Sequence, residues 1–393
     1  MAVSVNQHAR RQRRFPAREV IAGLLVLGCA ATAQATEFEF DKAPGQTQAE
    51  ALQAGAQVKE EKDTSFVVMP IPLVNPSLGT GVVLAAVAFY QPEGSVRPWM
   101  TGAGALWSDN GSTGGGIFQK AYLNGDKFRV SGGLGKVDLN LRFFGIGNSA
   151  ADRGQSIDIE QRGDFALVQG LAKVSDRQFL GVRIRKVGVE TRVPIDPPLF
   201  PDLELPPLDA QVDLVGPGLV YQYDARDSEI GPSSGIYATG TLQWNLPSWG
   251  SDREYQRFDG AFNAYRKLGP NGVLAVRAAV CDVSDDAPFF DLCLFGSNND
   301  LRGYEAGQYR DSTLLATQAE YRWQFSRRWG MVAFAGIGGV APDFGSYRGS
   351  DLLPAGGLGL RFKASTAYNV NVSVDYAVGR DSDAVYFTIG EAF

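Results

Sequence analysis

The sequence predicts an all-β protein, built as a sixteen-stranded antiparallel transmembrane β-barrel. Three observations point to this fold class: an export signal at the start, a long succession of segments in which apolar and polar residues alternate, and an even number of such segments. Outer-membrane barrels have an even number of antiparallel strands, whose side chains face lipid and lumen in turn. A soluble β-sandwich also alternates, so the prediction depends on the three observations together.

The first residues have the parts of a secretory signal peptide. Five arginines come first, residues 20–33 are almost entirely apolar, and Ala33-Gln34-Ala35 fits a small-x-small cleavage site. The apolar run is too short to span a bilayer comfortably. We therefore predict a signal peptide over 1–35. A lipoprotein is the alternative, because Val26 to Cys29 loosely fits a lipidation box.

Two further segments complete the predicted domain organisation. Residues 36–64 are mostly polar and too few to bury a core, so they are predicted to form a short periplasmic N-terminal segment. Their one helical candidate is Gln46 to Lys59. The barrel is predicted to occupy residues 65–393.

Strand periodicity is clearest near the end of the chain. From Tyr368 to Val378, apolar residues on one face alternate with polar residues on the other, which is the period of a strand. Four apolar residues of the final segment share one face and form a C-terminal strand signal: Val385, Phe387, Ile389 and Phe393. The sixteen alternating segments are 65–73, 80–90, 99–107, 114–123, 127–144, 159–173, 180–193, 212–223, 235–245, 254–267, 272–281, 313–324, 330–340, 354–363, 367–378 and 383–393.

The connectors and strand ends fit a membrane barrel. Turn residues fill the connectors, glycines recur within the strands, and aromatic residues such as Tyr90, Trp107 and Trp323 stand at strand ends, where barrels have their interfacial girdles. Sixteen strands enclose a lumen wide enough for water unless something plugs it.

Composition excludes several classes of function. The only histidine, His8, lies in the predicted signal peptide, so the mature chain has neither a histidine-dependent catalytic triad nor a histidine-ligated zinc site. We expect no enzyme, no cofactor and no metal, although chemistry by acids such as Glu320 and Asp375 is left open. The mature chain has 32 basic and 42 acidic side chains, which argues against a nucleic-acid partner.

Two cysteines remain after the predicted cleavage. Cys281 and Cys293 flank the stretch CDVSDDAPFFDLC, and in an exported protein such a pair predicts a disulfide. Two free thiols are the alternative. The aspartates between the cysteines lack the spacing of a calcium loop and are predicted to form a solvated face.

The longest connector joins segments 272–281 and 313–324 and should lie on the outer side of the membrane. Long connectors of this kind are usually functional. It contains the run Leu301-Arg302-Gly303-Tyr304. This run resembles the [VIL]RG[FY] signature in the sixth extracellular loop of the BamA/TamA superfamily of outer-membrane assembly and translocation barrels. RFFGIGNSA at 142–150, DARDSEIGPSSG at 224–235, and the AEYRW and YFTIGEAF strands extend the resemblance over nearly all of 65–393.

The resemblance implies a loop that folds into the lumen, where its arginine pairs with acids on the inner wall. It also implies a place in the Gram-negative outer membrane and a role in inserting, assembling or translocating protein or lipid. The implied partners are outer-membrane lipid and lipopolysaccharide, with unfolded outer-membrane proteins or a periplasmic protein as further candidates. A gated or passive pore for small solutes is the alternative function.

The residues themselves suggest the partner of the loop arginine. In QAEYRW, Tyr321 and Trp323 take the apolar face, so Glu320 points inward and can meet Arg302 in a charge-assisted pair. The family offers a second acid on the next strand, where this chain has Gly336. We therefore expect Arg302 to be held by one acid, in a looser loop; a solvated surface arginine is the alternative.

Two further expectations concern the ends of the barrel. The segment before residue 65 is too short for the periplasmic POTRA domains of the family, so the sequence predicts a barrel-only member. Pro70, Pro72 and Pro76 lie in the first strand, where proline removes ladder donors. They predict a weakly paired lateral seam between the first and last strands.

Overall fold

A computed structural model describes residues 65–75, 78–95, 97, 99–193, 211–228, 231–296, 300–365 and 370–393. The predicted signal peptide, the predicted periplasmic segment with its helical candidate, and Pro76 lie outside these residues. The signal peptide and the short N-terminal segment therefore stay predictions.

Eighteen strands are present in the part of the chain that the structure describes. They are β1 (Ser65–Asn75), β2 (Gly79–Tyr90), β3 (Trp99–Ser108), β4 (Thr113–Leu123), β5 (Phe128–Phe143), β6 (Ile157–Ser175), β7 (Gln178–Arg192), β8 (Val212–Asp224), β9 (Gly235–Asn245), β10 (Tyr255–Leu268), β11 (Gly272–Val283), β12 (Cys293–Leu294), β13 (Arg310–Asp311), β14 (Thr313–Gln324), β15 (Trp329–Ala341), β16 (Leu353–Ser365), β17 (Val370–Val378) and β18 (Asp383–Ile389). Sixteen of them form one sheet, and β12 pairs with β13 outside it. Each of the sixteen predicted segments overlaps one strand of the large sheet.

The large sheet is an antiparallel meander. Every strand pairs with its neighbour in the chain, and β11 pairs with β14 across the loop of residues 284–312. Where the structure describes the chain, helical structure is limited to α1 (Asn148–Asp152) and three short 3-10 turns at Pro247–Trp249, Phe289–Asp291 and Gly349–Asp351. Among the described residues, no helix is both long enough and apolar enough to cross a membrane.

The two faces of the sheet have the polarity expected of a lipid-exposed wall. On β14, Gln318 and Glu320 are buried, whereas Tyr321 and Trp323 are exposed by 42% and 47%. Large apolar side chains are exposed on other strands too, such as Leu134 of β5. Because soluble proteins bury apolar groups and expose charged ones, this inverted pattern is the one expected of a sheet whose exposed face contacts lipid.

Three long strands reverse this polarity towards their outer ends. On the outward face of β5–β7, Arg162 pairs with Asp138 at 3.0 Å and Lys186 with Asp164 at 3.7 Å, and all four side chains are about half exposed. The inward face of the same ends buries an apolar cluster together with the loop residue Phe289. That cluster contains Phe143, Ile157, Ile159 and Phe289. These strand ends therefore have the polarity of a water-soluble sheet.

The main apolar core lies between the sheet and the loop of residues 284–312. Five loop side chains are buried in it, together with residues of β8, β14, β15 and β16: Cys293, Phe295, Leu301, Tyr304, Tyr309, Leu214, Leu314, Val340 and Leu353. Because one loop packs against strands from both halves of the sheet, the sheet curls around it. The loop thus occupies the inner side, as a loop folded into the lumen would.

Candidate functional site

The base of the loop is fastened to the wall by covalent and backbone bonds. The predicted disulfide between Cys281 of β11 and Cys293 of β12 is formed, with the two Cα atoms 5.8 Å apart. The two-residue strands β12 and β13 then bring the ends of the loop together. The backbone N–H of Phe295 donates to the carbonyl of Tyr309 at 2.9 Å. The loop is therefore an ordered hairpin, not a solvated connector.

The loop tip is held by Gly303 and Tyr304. Gly303 has φ 119°, a conformation that favours glycine. Its N–H donates to the hydroxyl of Tyr386 on β18 at 2.9 Å. The Tyr304 hydroxyl donates to the carbonyl of Pro354 at 2.6 Å and accepts from the N–H of Arg380 at 3.0 Å. The tip is thus bound to the last three strands of the sheet and their connections.

Leu301 explains the glycine that departs from the family pattern. The Leu301 side chain is completely buried. A Cβ placed on Gly336 of β15 would lie 2.5 Å from Leu301 Cδ1 and 2.4 Å from the carbonyl oxygen of Thr317. Since real Cβ atoms do not approach so closely, an aspartate at this position is incompatible with the packing of Leu301.

Arg302 is completely buried and meets two acids, not one. Its Nη2 lies 2.6 Å from Glu320 Oε2, and its Nη1 donates to Asp375 Oδ2 of β17. The guanidinium also stacks on the ring of Phe334, with its carbon 3.6 Å from the ring centroid. The expectation of a single acid is therefore wrong. The second carboxylate comes from β17, because Gly336 on β15 is already taken up by the packing of Leu301.

The arginine and its two acids belong to a larger closed ring of six buried charges. Cations and anions alternate around it in the order Arg302, Glu320, Arg322, Glu391, Arg361 and Asp375. Each of the six side chains is at most 9% exposed. Three positive and three negative charges cancel, which is how a buried charged cluster becomes tolerable.

The last four residues of the sequence contribute to this ring. The strand that was predicted to reach Phe393 ends at Ile389, and the chain turns at Gly390, which has φ 100°. Glu391 then pairs with Arg361 at 2.8 Å. The carbonyl of Phe393 accepts a hydrogen bond from Arg322 at 2.7 Å. Phe393 therefore does not continue the face of Val385, because the ring draws residues 390–393 inward.

Three loop acids make further ion pairs with arginines of the sheet. Asp291 lies 2.5 Å from Arg185 of β7, Asp300 lies 2.7 Å from Arg277 of β11, and Glu305 lies 2.5 Å from Arg142 of β5. The expectation of a solvated acidic face is therefore wrong for Asp291. Sequence reasoning missed these pairs because no local pattern links their members.

Burial and two arginines act on Asp291 in opposite directions. Burial disfavours its ionised form, but Arg185 and Arg257 outweigh this effect and hold the pKa of Asp291 below its usual value. Arg257 also donates from Nη1 to the carbonyl oxygen of Asp291 at 2.9 Å. The Tyr255 hydroxyl donates to the same carboxylate. Asp291 thus joins the loop to β7 and β10 as an ionised group.

The RFFGIGNSA segment contacts the outer part of the loop. The N–H of Gly147 donates to the carbonyl of Arg310 at 2.8 Å, and the Tyr309 hydroxyl donates to Asp152 of α1 at 3.0 Å. Asn148 Nδ2 donates to the carbonyl of Val340 on β15 at 2.9 Å. This segment therefore covers the loop and links it to the far side of the sheet.

The part of the chain that contains the loop and the charge ring matches a known protein family. The stretch from β8 to the last residue, 209–393, matches the Omp85 superfamily domain. The matched stretch is slightly less than half of the chain. No curated protein matches the sequence.

Solved structures resemble the chain beyond the limits of the Omp85 domain. BamA from Haemophilus ducreyi lacking POTRA domains 1–3 superposes with a TM-score of 0.57 at 14% identity, over 84% of this chain and 70% of that one. CdiB from Acinetobacter baumannii and CdiB from Escherichia coli each give a TM-score of 0.55 at 12% identity. Both cover 84% of this chain, which spans 60% and 63% of their respective lengths. At these identities the likeness is one of fold.

The Omp85 domain contains the whole loop and all six ring residues, whereas part of the loop's support lies before it. Arg142 and Arg185, which hold Glu305 and Asp291, belong to β5 and β7 and precede residue 209. The loop therefore joins the Omp85 domain to the preceding strands through ion pairs.

The turn DARDSEIGPSSG also belongs to the Omp85 domain. The carboxylate of Asp227 accepts hydrogen bonds from the N–H groups of Ser233 at 2.8 Å and Ser234 at 3.1 Å. The carbonyl of Pro232 accepts from Arg322 Nη1 at 3.3 Å. The turn thus contacts the ring from one end of the sheet.

The seam prolines lie on an edge of the sheet. Pro70 of β1 faces Leu84 of β2, and Pro72 faces Val82. Within the described residues, β1 pairs with β2 alone and β18 pairs with β17 alone. The first strand of the sheet and the last strand of the Omp85 domain are therefore the two edges of the sheet.

Proposed function

We propose that this chain forms a closed β-barrel in the Gram-negative outer membrane and helps to insert, assemble or translocate protein or lipid there. The observation that carries the proposal is the combination of a locked inner loop with two edge strands, β1 and β18, that have no ladder between them among the described residues. A barrel with this construction is plugged along its axis and weakest at its side. Clients would then enter at the side.

Closure of the sheet is supported by the reach of the loop. Its ion pairs extend from Arg142 of β5 to Asp375 of β17, so both halves of the sheet face the same loop. Lipid contact adds a physical requirement, because an unpaired strand edge in hydrocarbon leaves several kcal/mol unsatisfied per backbone group. We therefore propose that β1 and β18 meet at a short seam. Pro70 and Pro72 lack N–H donors and keep that seam weak.

The same construction leads us to propose outer-membrane lipid and lipopolysaccharide as the surroundings of the barrel. Unfolded outer-membrane proteins or a periplasmic protein are the proposed partners at the seam. The proposal includes no enzymatic step.

A gated pore is the second candidate. A cavity of about 190 Å³ remains beside the loop, lined by polar groups of β7, β9 and β10 such as Arg183, Thr239 and Asp259. The ion pairs of Asp291 and Asp300 fix the loop across this cavity. Conductance would therefore require movement of the loop.

Two measurements on liposomes containing the full chain separate these functions. The first is the rate at which an unfolded outer-membrane barrel folds into the liposomes, read from its heat-dependent gel mobility. We expect acceleration over empty liposomes. Val68→Cys on β1 is combined with single cysteines stepped along β18, and the pair that forms a disulfide is kept. Oxidation of this pair should abolish the acceleration and reduction should restore it. Acceleration that survives oxidation would exclude the seam.

The second measurement is planar-bilayer conductance of the chain and its Arg302→Ala variant. Small currents that become large in the variant would agree with a loop that plugs the lumen. A large and steady current in the unmodified chain, together with no acceleration of client folding, would favour the pore.

A further inference from the structure

The loop arginine and the last residues of the sequence share one set of charges. Glu320 binds Arg302 through Oε2 and Arg322 through Oε1, at 2.6 Å in both cases. Asp375 likewise accepts from Arg302 through Oδ2 and from Arg361 through Oδ1. Glu391 lies 2.8 Å from Arg361 and 3.8 Å from Arg322. Each acid therefore bridges two arginines, and the loop is connected to residue 391 along both sides of the ring.

The segment 390–393 has a fixed position inside the sheet. The N–H of Gly390 donates to the carbonyl of Asn371 at 2.7 Å, and its carbonyl accepts from Ser373 Oγ at 2.6 Å. Asn371 Nδ2 donates to Glu391 Oε1 at 2.7 Å. The Phe393 ring lies 6.4 Å from the ring of Tyr265 on β10. Polar and aromatic contacts thus hold the segment on the inner wall.

This position shortens the edge strand. In the register of β17 with β18, Val372 faces Ile389, and the ladder stops there. The Asn371 carbonyl still accepts from Gly390, but beyond this bond the chain leaves the edge of β17, and Glu391 binds the Asn371 side chain. The residues that would lengthen β18 are therefore the residues that complete the charge ring.

Without Glu391, Arg361 and Arg322 each keep one acid of the ring, and each of these acids is also bound to Arg302. Arg361 keeps Asp375 and Arg322 keeps Glu320, so both arginines draw on the carboxylates that hold Arg302. Because buried charges interact strongly in a low-dielectric interior, a change at residue 391 alters the hold on Arg302. By thermodynamic reciprocity, a change at Arg302 alters the hold on residue 391 to the same degree.

We propose that residues 390–393 form an internal latch, in which Glu391 couples the loop lock at Arg302 to the length of the edge strand β18. In the latched state the loop is fixed and β18 is short. Release of Glu391 frees both the loop and the edge together. The biological role of the latch rests on the proposed seam function. The test of the latch itself does not depend on client folding.

The test is hydrogen–deuterium exchange of the full chain in liposomes, read by mass spectrometry in two peptides. One peptide covers the loop tip, 300–311, and the other covers 384–393. Glu391→Gln should raise exchange in the loop tip by at least about fivefold, the lower end of usual coupling energies. Arg302→Lys should raise exchange at 390–393 reciprocally. Because the two residues are coupled, the double variant should exchange more slowly than the product of the two single effects predicts.

Matched variants guard against trivial outcomes. Glu93→Gln removes an exposed acid in the β2–β3 connection and should change neither peptide. Asn371→Ala removes the donor to Glu391 but keeps all six charges, so it remains informative if Glu391→Gln fails to fold. Faster exchange at 390–393 in Glu391→Gln or in Asn371→Ala, with exchange at the loop tip unchanged, would overturn the latch. Coupled exchange without acceleration of client folding would uphold the latch and reject the proposed function.

Discussion

Arg302 and Asp375 face each other inside the sheet, although 73 residues separate them in the sequence. One lies at the tip of a long loop and the other on the last strand but one. Arg302 also binds Glu320, so this one arginine bridges two carboxylates. This arrangement leads to the first prediction.

Glu320→Gln should destabilise the folded barrel by about 3–5 kcal/mol, the usual loss when one partner of a buried ion pair is removed. The substitution keeps the shape of the side chain and leaves Arg302 and Arg322 short of one anion. Urea unfolding of the liposome-embedded protein measures the change. Glu190→Gln is the control, because its pair with Arg192 is exposed and should contribute at most about 1 kcal/mol. Equal stability of the two variants would show that the ring does not stabilise the fold.

Gly336→Ala should lower stability by about 1–3 kcal/mol, because the new Cβ collides with Leu301 and the backbone of β14. Gly170→Ala on β6 is a matched control, since a Cβ there meets no atom within 4 Å. Thermal unfolding measured side by side separates the two cases. A Gly336→Ala variant that unfolds at the temperature of the control would contradict the packing described for Leu301.

Replacing both Cys281 and Cys293 by serine should cost about 2–4 kcal/mol, the usual contribution of a disulfide. The bridge spans 12 positions and anchors the loop to β11. Limited proteolysis should cut the loop of the variant faster than that of the parent. Reductant should accelerate cleavage of the parent and leave the variant unchanged; a parent insensitive to reductant would refute the anchoring role.

The stability contributed by Asp291 should depend on pH. Its pKa is lower in the folded state than the value near 3.9 expected for an unfolded chain. Its ionisation therefore stabilises the fold at pH values above about 4, and this stabilisation is lost as the pH falls through the folded-state pKa. Asp291→Asn should be less stable than the parent at pH 7, and the difference should shrink below about pH 4. Asp286→Asn, which changes an exposed pair with Arg253, should show no such trend.

The strands were predictable because alternation is a local property of the sequence. Tyr321 and Trp323 on one face and Glu320 on the other are enough to orient β14. This orientation predicted that Glu320 faces Arg302. Asp375 belongs to the polar face of the alternating run from Tyr368 to Val378 for the same reason. Its pairing with Arg302 was not assigned, because the distance between a loop tip and a strand depends on how the whole sheet curls.

Phe393 shows a limit of periodicity. Its phase matches Val385, and alternation alone extends the final strand to the end of the sequence. The contribution that opposes strand extension comes from Glu391, whose charge is neutralised by Arg322 of β14 and Arg361 of β16. A buried ion pair between distant strands outweighs a local preference for extended structure. The pair of Glu305 with Arg142 was missed because 163 positions separate the two residues in the sequence.

The reversal of polarity along β5–β7 has a consequence for the surrounding bilayer. β5 and β6 have 16 and 19 residues, whereas the edge strand β18 has 7. The long strands end in charged pairs, such as Arg162 with Asp138, so in the proposed barrel their excess length would stand in water. The short edge strand would offer acyl chains only a low apolar belt. Lipids beside β18 would then compress to avoid hydrophobic mismatch, whereas lipids beside β6 would keep their full thickness. The proposed barrel would thus thin its own membrane locally, at the edge where the sheet is weakest.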